Sequence, residues 1–335
     1  MNDPTRPALD VIGVGNAIVD VLAEASDAFL VELGIDKGGM TLIDEARAKA
    51  IYDAMPPAVE ISGGSAANTI ACLASLGGAG GFIGKVAADA LGDIFEHDLK
   101  SIGVAFESAR LEGGPATARS LINVTPDAQR SMSTYLGAAG LVGPEDVSPD
   151  AVANAAITYF EGYLFESETA RAAFEKACAA AKAAGRRTAL TLSDRGVVER
   201  NLYTLRDFIP ANVDILFANE DEAAALFETT DRAAMAEAAR ELCALTAITR
   251  SAEGSTLAPR DGSTVDVPAT PPAELVDTTG AGDAYAAGVL FGLARERSLA
   301  DAGALGALAA AEIISHYGAR PQTSLKELAA AKGLL

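Results

Sequence analysis

The seven residues DTTGAGD at 277–283 combine small side chains with a carboxylate in a way that suits phosphate chemistry. A helix is predicted to begin near Ala281, and the first N–H groups of a helix lack internal partners and carry partial positive charge. Gly280 and Gly282 let the backbone approach an anion closely because neither has a Cβ. Asp283 would then accept the proton of a hydroxyl that attacks phosphorus. The alternative, a glycine turn before a helix with a stabilising aspartate, explains less of this pattern.

A second group of residues suits the binding of a ligand with hydroxyl groups. Asn16 and Asp20 follow the first predicted strand, and a carboxylate such as that of Asp20 can accept from two adjacent hydroxyls. Gly63 and Gly64 permit close approach of the backbone and suit a hinge, and Asn68 lies one helical turn further on. Each of these residues alone is more often a cap or turn residue, so the prediction concerns the group as a whole.

Short β-branched runs alternate with longer alanine-rich helical runs, which predicts an α/β fold with a mostly parallel sheet between helices. Ligands of such folds bind beyond the carboxyl ends of the strands. The predicted strands are 11–14, 82–83, 157–160, 188–192, 214–217 and 247–249. The predicted helices are 66–76, 94–101, 169–184, 222–226, 235–242 and 284–293.

Two regions, Asp20–Glu60 and Gly113–Leu136, break the alternation with short extended segments and turns. We expect them to pair in antiparallel fashion as a small β-sheet lid, although two ordinary excursions from the core would give the same pattern. The predicted α/β core comprises residues 1–16, 63–111 and 137–335, and the predicted lid comprises residues 17–62 and 112–136.

The composition argues against two classes of partner. The chain has 335 residues and a formal net charge of −20, which repels nucleic acid and anionic membranes. No apolar run reaches the roughly 18 residues of a membrane span, and no basic-then-apolar leader is visible. Three well-separated cysteines and the absence of a leader favour a reduced, cytoplasmic protein.

Two other glycine-rich segments match known nucleotide-binding motifs poorly. GGAGGFIGKV at 77–86 would need glycine at Ala79 and a hydroxyl residue at Val86 to be a P-loop. GVGNAI at 13–18 begins like a dinucleotide fingerprint but has Ile18 in place of its last glycine. Two histidines in the whole chain are too few for a histidine-based zinc cluster.

DTTGAGDAYAAG resembles the C-terminal motif of the PfkB, or ribokinase-like, carbohydrate kinases, and the segment 63–92, which begins GGSAAN, resembles their second motif. The resemblance covers nearly the whole chain, with both motifs in the expected order and separation. It implies a three-layer α/β/α ribokinase-like core with a mostly parallel sheet and a small β-sheet lid. It also implies ATP-dependent phosphoryl transfer with Mg²⁺.

The resemblance assigns roles to particular residues. Asp283 would be the catalytic base, and the amides of Gly280, Ala281 and Gly282 would hold the transferred phosphoryl group. The implied acceptor-binding residues are Asn16, Asp20, Gly63, Gly64, Ser65 and Asn68. The implied donor-side residues are Asn219, Thr249, Gly254, Gly280 and Gly282, with hydrated Mg²⁺ at Glu222 and Asn219 and a possible monovalent cation, such as K⁺, at Asp277. From residue types alone, Asn219 and Glu222 would indicate only a helix start.

Several further stretches are most similar to adenosine kinases, among them GNAIVD at 15–20 and NVDILFANEDEAA at 212–224. This similarity implies that Tyr163 stacks on a nucleobase, that Met132 lines the same pocket from the lid, and that Arg130 reaches the phosphoryl group. A core tyrosine and a solvated hairpin arginine are the alternatives. Residues 307–321 are expected to line the pocket for the donor adenine.

The sequence therefore predicts a purine salvage kinase that phosphorylates the 5′-hydroxyl of a purine nucleoside, with adenosine as the expected acceptor and AMP as the product. Guanosine and inosine remain open as acceptors. A free-sugar kinase for ribose or fructose and a non-catalytic nucleoside-binding protein of the same fold are the alternatives. The expected partners are ATP and the nucleoside or sugar. The expected state is a monomer or a homodimer joined through the lids.

Overall fold

A nine-stranded sheet forms the centre of the protein in a computed structural model that describes residues 7–106, 108–127 and 129–335. Residues 1–6, 107 and 128, which belong to the predicted core and lid ranges, lie outside the described residues. The strands are β1 Leu9–Val14, β2 Ile18–Glu24, β3 Met40–Leu42, β4 Val59–Gly63, β5 Gly80–Ile83, β6 Ala105–Phe106, β7 Ala118–Val124, β8 Arg130–Tyr135, β9 Ala155–Glu161, β10 Arg187–Thr191, β11 Ile215–Asn219, β12 Leu245–Thr249, β13 Ser255–Pro259 and β14 Val265–Val267. The helices are α1 Asp27–Glu32, α2 Glu45–Ala54, α3 Ser65–Ser75, α4 Ala90–Ser101, α5 Pro149–Ala153, α6 Glu168–Ala183, α7 Arg195–Asn212, α8 Glu220–Phe227, α9 Arg232–Leu242, α10 Ala281–Ala294, α11 Leu299–Ile313 and α12 Leu325–Ala331.

The large sheet has the order β14-β13-β12-β11-β10-β9-β1-β5-β6. Pairing is antiparallel in the edge hairpin β12-β13-β14 and parallel elsewhere, as the alternation of strands and helices predicts. The three-layer α/β/α core with a mostly parallel sheet is thus confirmed. Each predicted strand and helix of the core is present, most of them with somewhat longer bounds.

Alternation along the strands divides the core into two layers. Val11 of β1 and Tyr159 of β9 pack with α3 and α10 on one face, whereas Ile12 and Phe160 pack with α6 on the other. A strand that is apolar at every position is covered on both faces, as expected in a parallel sheet. The two helical layers leave the carboxyl edge of the sheet open for the loops that carry the polar residues.

The smaller sheet has five strands in the order β3-β8-β7-β2-β4. β2 pairs with β4 and β7 with β8 in antiparallel fashion, as predicted, but β2 with β7 and β3 with β8 are parallel pairs. The smaller sheet is confirmed as part of the fold, while its predicted action as a lid and the predicted domain bounds stay predictions. Helix α2 covers its outer face through Ala48 and Ile51, and the sequence pattern revealed neither α1 nor α2.

The opposite face of the small sheet carries the polar residues. Asp20 of β2 lies in register with Ser120 of β7, which in turn lies opposite Thr134 of β8. Side chains two positions apart share a face, so Arg130 and Met132 of β8 lie on this face too. Of the residues assigned to an acceptor pocket, Asp20 and Met132 therefore share one side of this sheet. Within the described residues, no helix is long and apolar enough to cross a membrane.

Candidate active site

Asp283 lies in the first turn of α10 and faces the first turn of α3. Its Oδ1 accepts from the Ser65 hydroxyl at 2.6 Å, and its Oδ2 accepts from Asn68 Nδ2 at 3.3 Å. A carboxylate oxygen has two acceptor positions, so each oxygen retains one for a further donor. The two sequence motifs, more than two hundred residues apart along the chain, therefore meet at this carboxylate.

The turn before Asp283 has the geometry of a helix start built on glycine. Gly280 is the N-cap of α10 at φ 79°, and a Cβ there would lie 2.5 Å from the Ala319 Cβ. The Ala281 amide donates to the Thr278 carbonyl at 3.2 Å. Within the described residues, no protein acceptor takes the amide of Gly280 or Gly282. Of the three amides predicted to hold a phosphoryl group, Ala281 is thus engaged within the turn, and the other two have no protein partner there.

Gly282 differs from Gly280 in what surrounds it. A Cβ added at Gly282 would meet nothing within 4 Å. Since Gly282 is not needed for packing or for a left-handed backbone, its small size leaves room next to Asp283 for another molecule.

Burial raises the pKa of Asp283 to about 6. The hydrogen bonds from Ser65 and Asn68 and the positive charge of Arg320 oppose this effect. A carboxyl with this pKa is largely ionised at neutral pH yet is more basic than an exposed aspartate, as suits a general base.

Asp20 lies on the small sheet beside Gly63. A Cβ at Gly63 would approach Asp20 Oδ2 to 2.3 Å, so only glycine leaves room for this carboxylate. Burial raises its pKa to about 7 against the lowering effect of Arg320 and Arg130. No donor among the described residues forms a hydrogen bond to it, so its acceptor positions are available to a ligand.

Asn16 is 5% exposed and bonds to a carboxylate that the sequence reasoning missed. Glu161, at the end of β9, accepts at Oε1 from the Asn16 amide and Nδ2 at 2.9 and 2.6 Å. Its Oε2 accepts from the Ala66 amide at the start of α3 at 2.9 Å. Burial raises its pKa to about 7. Glu161 thereby ties the loop after β1 to α3, and a Cβ at Gly15 would collide with it.

Gly64 begins α3 in a conformation that suits glycine, with φ 90° and only 2.3 Å between an added Cβ and the Asn16 carbonyl oxygen. It connects β4 of the small sheet with α3 of the core. The predicted hinge therefore lies at the junction of the two sheets, although its movement stays a prediction.

Arg130 is not a solvated hairpin residue. Its guanidinium lies 2.7 Å from Asp277 Oδ2, with both side chains less than a tenth exposed, and it packs over the Tyr317 ring at 5.5 Å from the centroid. Its predicted contact with a phosphoryl group would require it to leave this partner.

The predicted cation site at Asp277 is surrounded by donors. Oδ1 accepts from the Thr279 amide and hydroxyl at 3.1 and 2.8 Å, and Oδ2 accepts from the Gly318 amide at 3.2 Å and pairs with Arg130. A monovalent cation needs acceptor oxygens that are free to coordinate it. Both oxygens of Asp277 already accept from protein donors, so such a cation does not fit beside this carboxylate while Arg130 is paired with it.

Tyr163 lies in a one-turn helix directly after β9. Its hydroxyl donates to the Ser193 carbonyl at 3.4 Å, and burial raises its pKa, with a smaller contribution from Asp194 and other carboxylates. The ring is partly exposed. Its stacking on a base stays a prediction.

Asn219 and Glu222 form a reciprocal helix cap. The Glu222 carboxylate accepts from the Asn219 amide and Nδ2 at 3.0 and 2.8 Å, while Asn219 Oδ1 accepts from the Glu222 amide at 2.8 Å. This is the helix-start arrangement that residue types alone indicated. Thr249, paired with Asn219 across β11 and β12, and Gly254, at φ 86°, lie at the same edge of the sheet.

The negative charge around Glu222 is the feature that suits Mg²⁺. The Glu222 side chain is buried, at 5% exposure. Burial raises its pKa to about 7, and the negative charges of Asp194, Asp221 and Asp283 add to that effect. The described residues contain no cluster of three or more metal-binding side chains. Mg²⁺ beside nucleotides is usually held largely by waters and phosphates, and the Glu222 carboxylate with its negative neighbours fits such a hydrated cation.

Arg320 is a second residue that the sequence reasoning missed. It belongs to the segment expected to line the donor adenine pocket, yet its Nε donates to the Ser62 carbonyl at 2.9 Å and its Nη1 to the Ala67 carbonyl at 3.0 Å. Its charge acts on Asp20 and Asp283. The only local signal is an arginine in a small-residue loop, GARP, where a solvated position is the ordinary expectation.

A scan against family models matches residues 45–326 to the pfkB family carbohydrate kinase model. Among curated proteins, aminoimidazole riboside kinase of Salmonella typhimurium is 29% identical over 266 residues, which cover 76% of this chain and 80% of that protein.

Two solved structures are similar over nearly their full length. The adenosine kinase from Sinorhizobium meliloti is 49% identical with a TM-score of 0.90, covering 97% of this chain and 99% of that chain. A probable sugar kinase protein from Rhizobium etli CFN 42 is 45% identical with a TM-score of 0.92, covering 98% and 100%.

Proposed function

The chain belongs to the pfkB family of carbohydrate kinases and is a phosphotransferase with an alcohol acceptor, and we propose that it transfers the γ-phosphoryl group of ATP to the 5′-hydroxyl of adenosine. The observation that carries the chemistry is Asp283, which lies beside the amides of Gly280 and Gly282 with an acceptor position left on each oxygen. The 49% identity to the Sinorhizobium meliloti adenosine kinase favours adenosine as the acceptor.

In the proposed reaction, Asp20 accepts from the hydroxyls of the ribose and so orients its 5′-hydroxyl toward Asp283. Asp283 takes the proton of the 5′-hydroxyl while the oxygen of that hydroxyl bonds to the γ-phosphorus. The electron pair of the broken P–O bond leaves with ADP. The Gly280 and Gly282 amides bind the oxygens of the moving phosphoryl group. Positioning and charge stabilisation of this kind account for most of the catalysis of phosphoryl transfer.

The donor side supplies charge compensation. Mg²⁺ bound with ATP would offset the phosphate charge, held through water by Glu222 and Asn219. Thr249 and Gly254 would contact the nucleotide, and Arg130 would move from Asp277 to the phosphoryl group when the lid closes. Tyr163 and Met132 would contact the base. A monomer and a homodimer joined through the lids both remain compatible with this proposal.

A free-sugar kinase is the second candidate, because the probable sugar kinase from Rhizobium etli CFN 42 is 45% identical over 98% of this chain. Such an enzyme would use the same base and the same Asp20 and would differ in how the pocket beyond the ribose is filled. The choice between them is a matter of acceptor specificity.

The test is ATP turnover with adenosine, guanosine, inosine, ribose and fructose, for the native protein and for Asp283→Asn. We expect kcat/KM to be highest for adenosine, and we expect the substitution to lower kcat by about 10²–10⁴-fold while adenosine binding persists. Asp301→Asn is the matched control, because Asp301 also lies in the first turn of a helix and accepts from a serine hydroxyl, that of Ser298, at 2.7 Å.

Three outcomes would contradict parts of the proposal. Equal kcat/KM for ribose and adenosine would reject the nucleoside assignment and support a sugar kinase. Near-native turnover of Asp283→Asn would remove the role of Asp283 as base. An equal loss in Asp301→Asn would attribute the effect to helix stability.

A further inference from the structure

Arg320 connects the two sheets at their junction. It extends from the loop after α11 and donates to Ser62, on the edge strand β4 of the small sheet, and to Ala67, in the first turn of α3. Gly63 and Gly64 lie between these two carbonyls. The backbone of Ser62 is held a second time, because its amide donates to Asp98 Oδ2 of α4 at 2.9 Å. The junction is therefore fixed by one guanidinium and one carboxylate from the core.

The two bonds to carbonyls leave the guanidinium charge uncompensated by a direct ion pair in the described part of the chain. Its Nη2 is buried and has no hydrogen-bond partner there. A buried arginine with an unused N–H group is costly unless nearby negative charge or a ligand compensates it. The carboxylates whose negative charges act on it are Asp20, Asp98 and Asp283.

We propose that Arg320 is a positioning residue for phosphoryl transfer, whose guanidinium fixes the small sheet to α3 across Gly63-Gly64 and supplies a positive charge to the acceptor-binding and proton-accepting carboxylates. Its donors hold the backbone on both sides of the glycine pair, while its charge acts on Asp20 and Asp283. It does not contact the reacting atoms. This inference rests on the proposed roles of Asp20 and Asp283.

The electrostatics are consistent with this geometry. Among the charged side chains, Arg320 is the first to lower the pKa of Asp20, and it is the charge that lowers the pKa of Asp283. The other ionisable groups that interact with Asp283 are acids, and the negative charge of Asp283 raises the pKa of each. They include Asp20, Glu161, Glu222, Tyr159 and Tyr163. Arg320 thus acts on both carboxylates, whereas Arg130 acts on Asp20.

The test compares Arg320→Gln with Arg320→Lys in full pH profiles of kcat/KM for the acceptor. Arg320→Gln removes the charge, and an opposite charge near a carboxyl typically lowers its pKa by about 1–3 units. We expect the acid limb of the profile to move up by about one pH unit, which is roughly a tenfold loss at pH values below the limb. Arg320→Lys keeps the charge but not the two-carbonyl geometry, so its limb should stay at the native pH while KM rises.

Arg187→Gln is the matched control. Arg187 also donates to a backbone carbonyl, that of Leu293 at 2.8 Å, and burial lowers its pKa as it does for Arg320, but the carboxylates whose charges act on it are Asp214 and Glu296. Its substitution should lower the melting temperature without moving the acid limb. A purely structural Arg320 would behave in the same way.

The result that would overturn the proposal is an unshifted acid limb in Arg320→Gln, or a limb that moves in Arg320→Lys. If Arg320→Gln does not fold, the lysine variant alone decides, because a native limb with a raised KM supports the proposal, whereas a shifted limb or a native KM rejects it. Asp283→Asn separates this result from the proposed function. If that variant keeps the native rate and acid limb, Asp283 is not the base and the proposed function is wrong. If the variant loses both, Asp283 is the group that titrates, and the Arg320 profiles then test the role of Arg320 alone.

Discussion

The two aspartates of the cleft differ in how the protein satisfies them. Asp283 accepts from Ser65 and Asn68 on the neighbouring helix, which fixes its orientation before any ligand binds. Asp20 has no donor among the described residues and a pKa raised to about 7. A carboxylate that is enclosed but unsatisfied favours a ligand that brings its own donors, and adjacent hydroxyls on a sugar do so.

The two glycines before Asp283 should respond differently to the same substitution. Gly282→Ala adds a methyl group into open space, so we expect near-native stability but a loss of turnover of at least tenfold, because the methyl group lies where the phosphoryl group is proposed to bind. Gly280→Ala forces φ 79° on alanine and places its Cβ 2.5 Å from that of Ala319. We expect it to cost about 1–3 kcal/mol of folding free energy. Urea unfolding and steady-state turnover, measured on both variants, check this contrast.

Urea unfolding without ligand compares the folding stability of the two variants independently of the turnover assay. If Gly282→Ala destabilises the protein as much as Gly280→Ala, the space beside Gly282 is needed for folding and the anion-binding interpretation loses its support. Native turnover in Gly282→Ala would contradict it directly.

The ion pair between Arg130 and Asp277 connects strand β8 of the small sheet with the loop before α10. Because both side chains are largely buried, removing one partner leaves a charge without compensation and should loosen the strand. We expect Arg130→Met to increase amide hydrogen exchange in β8 and in its partner β7 in the absence of ligand. Exchange in the large sheet should stay unchanged.

Lys37→Met provides the control for that experiment. Lys37 also forms ion pairs, with Asp27 and Asp127 at 2.7 Å each, but all three residues belong to the segments of the small sheet and their side chains are partly exposed. Its loss should leave exchange in β8 near the native rate. Equal effects of both substitutions would mean that Arg130 does not hold the two sheets together.

The core elements were predictable because apolar runs and alanine-rich runs alternate clearly, whereas the helices missed by the sequence analysis lack such contrast. Helix α11 is buried on most sides, so its residues show little alternation between apolar and polar faces. Helix α7 contains a non-helical Asn201 and has Pro210 near its end, and both resemble helix breakers in the sequence. Helices α1 and α2 are short and lie in a region for which the sequence predicted extended segments.

The site was predictable where its residues follow one another within a turn or two, as in 277–283 and 63–68. Glu161 and Arg320 could not be found in this way, because their partners are 95 to 258 positions away along the chain. A single carboxylate at a strand end, or a single arginine in a loop, has no local pattern. Their importance comes from the fold, which brings β9, α3 and the last loop to one place.

Four carboxyl groups with raised pKa values share the carboxyl edge of the large sheet and its junction with the small one. They are Asp20, Glu161 and Glu222, at about 7, and Asp283, at about 6. In each case burial is the main cause. The protein therefore holds carboxylates where they are less stable than in water, which is a common cost of an active site.

This arrangement determines how stability should change with pH. Between the unfolded pKa near 4 and the folded values of about 6 to 7, the folded state binds more protons than the unfolded state. The free energy of unfolding of the ligand-free protein should therefore fall as pH rises from 5 to 7 and level off above that range. Asp283→Asn removes one of the four contributions, so at pH 8 we expect it to be more stable than the native protein by on the order of 1–3 kcal/mol, and this difference should shrink at pH 5.

Urea unfolding at pH 5, 6, 7 and 8 measures both effects, and Asp127→Asn gives a control of opposite sign. Lys37 lowers the pKa of Asp127 to about 2, so that carboxylate favours the folded state above pH 4, and its removal should give no gain in stability at pH 8. A constant difference between Asp283→Asn and the native protein from pH 5 to 8 would show that Asp283 has an ordinary pKa in the folded state. In that case its enclosure would not make it more basic, and the argument for a poised general base would rest on geometry alone.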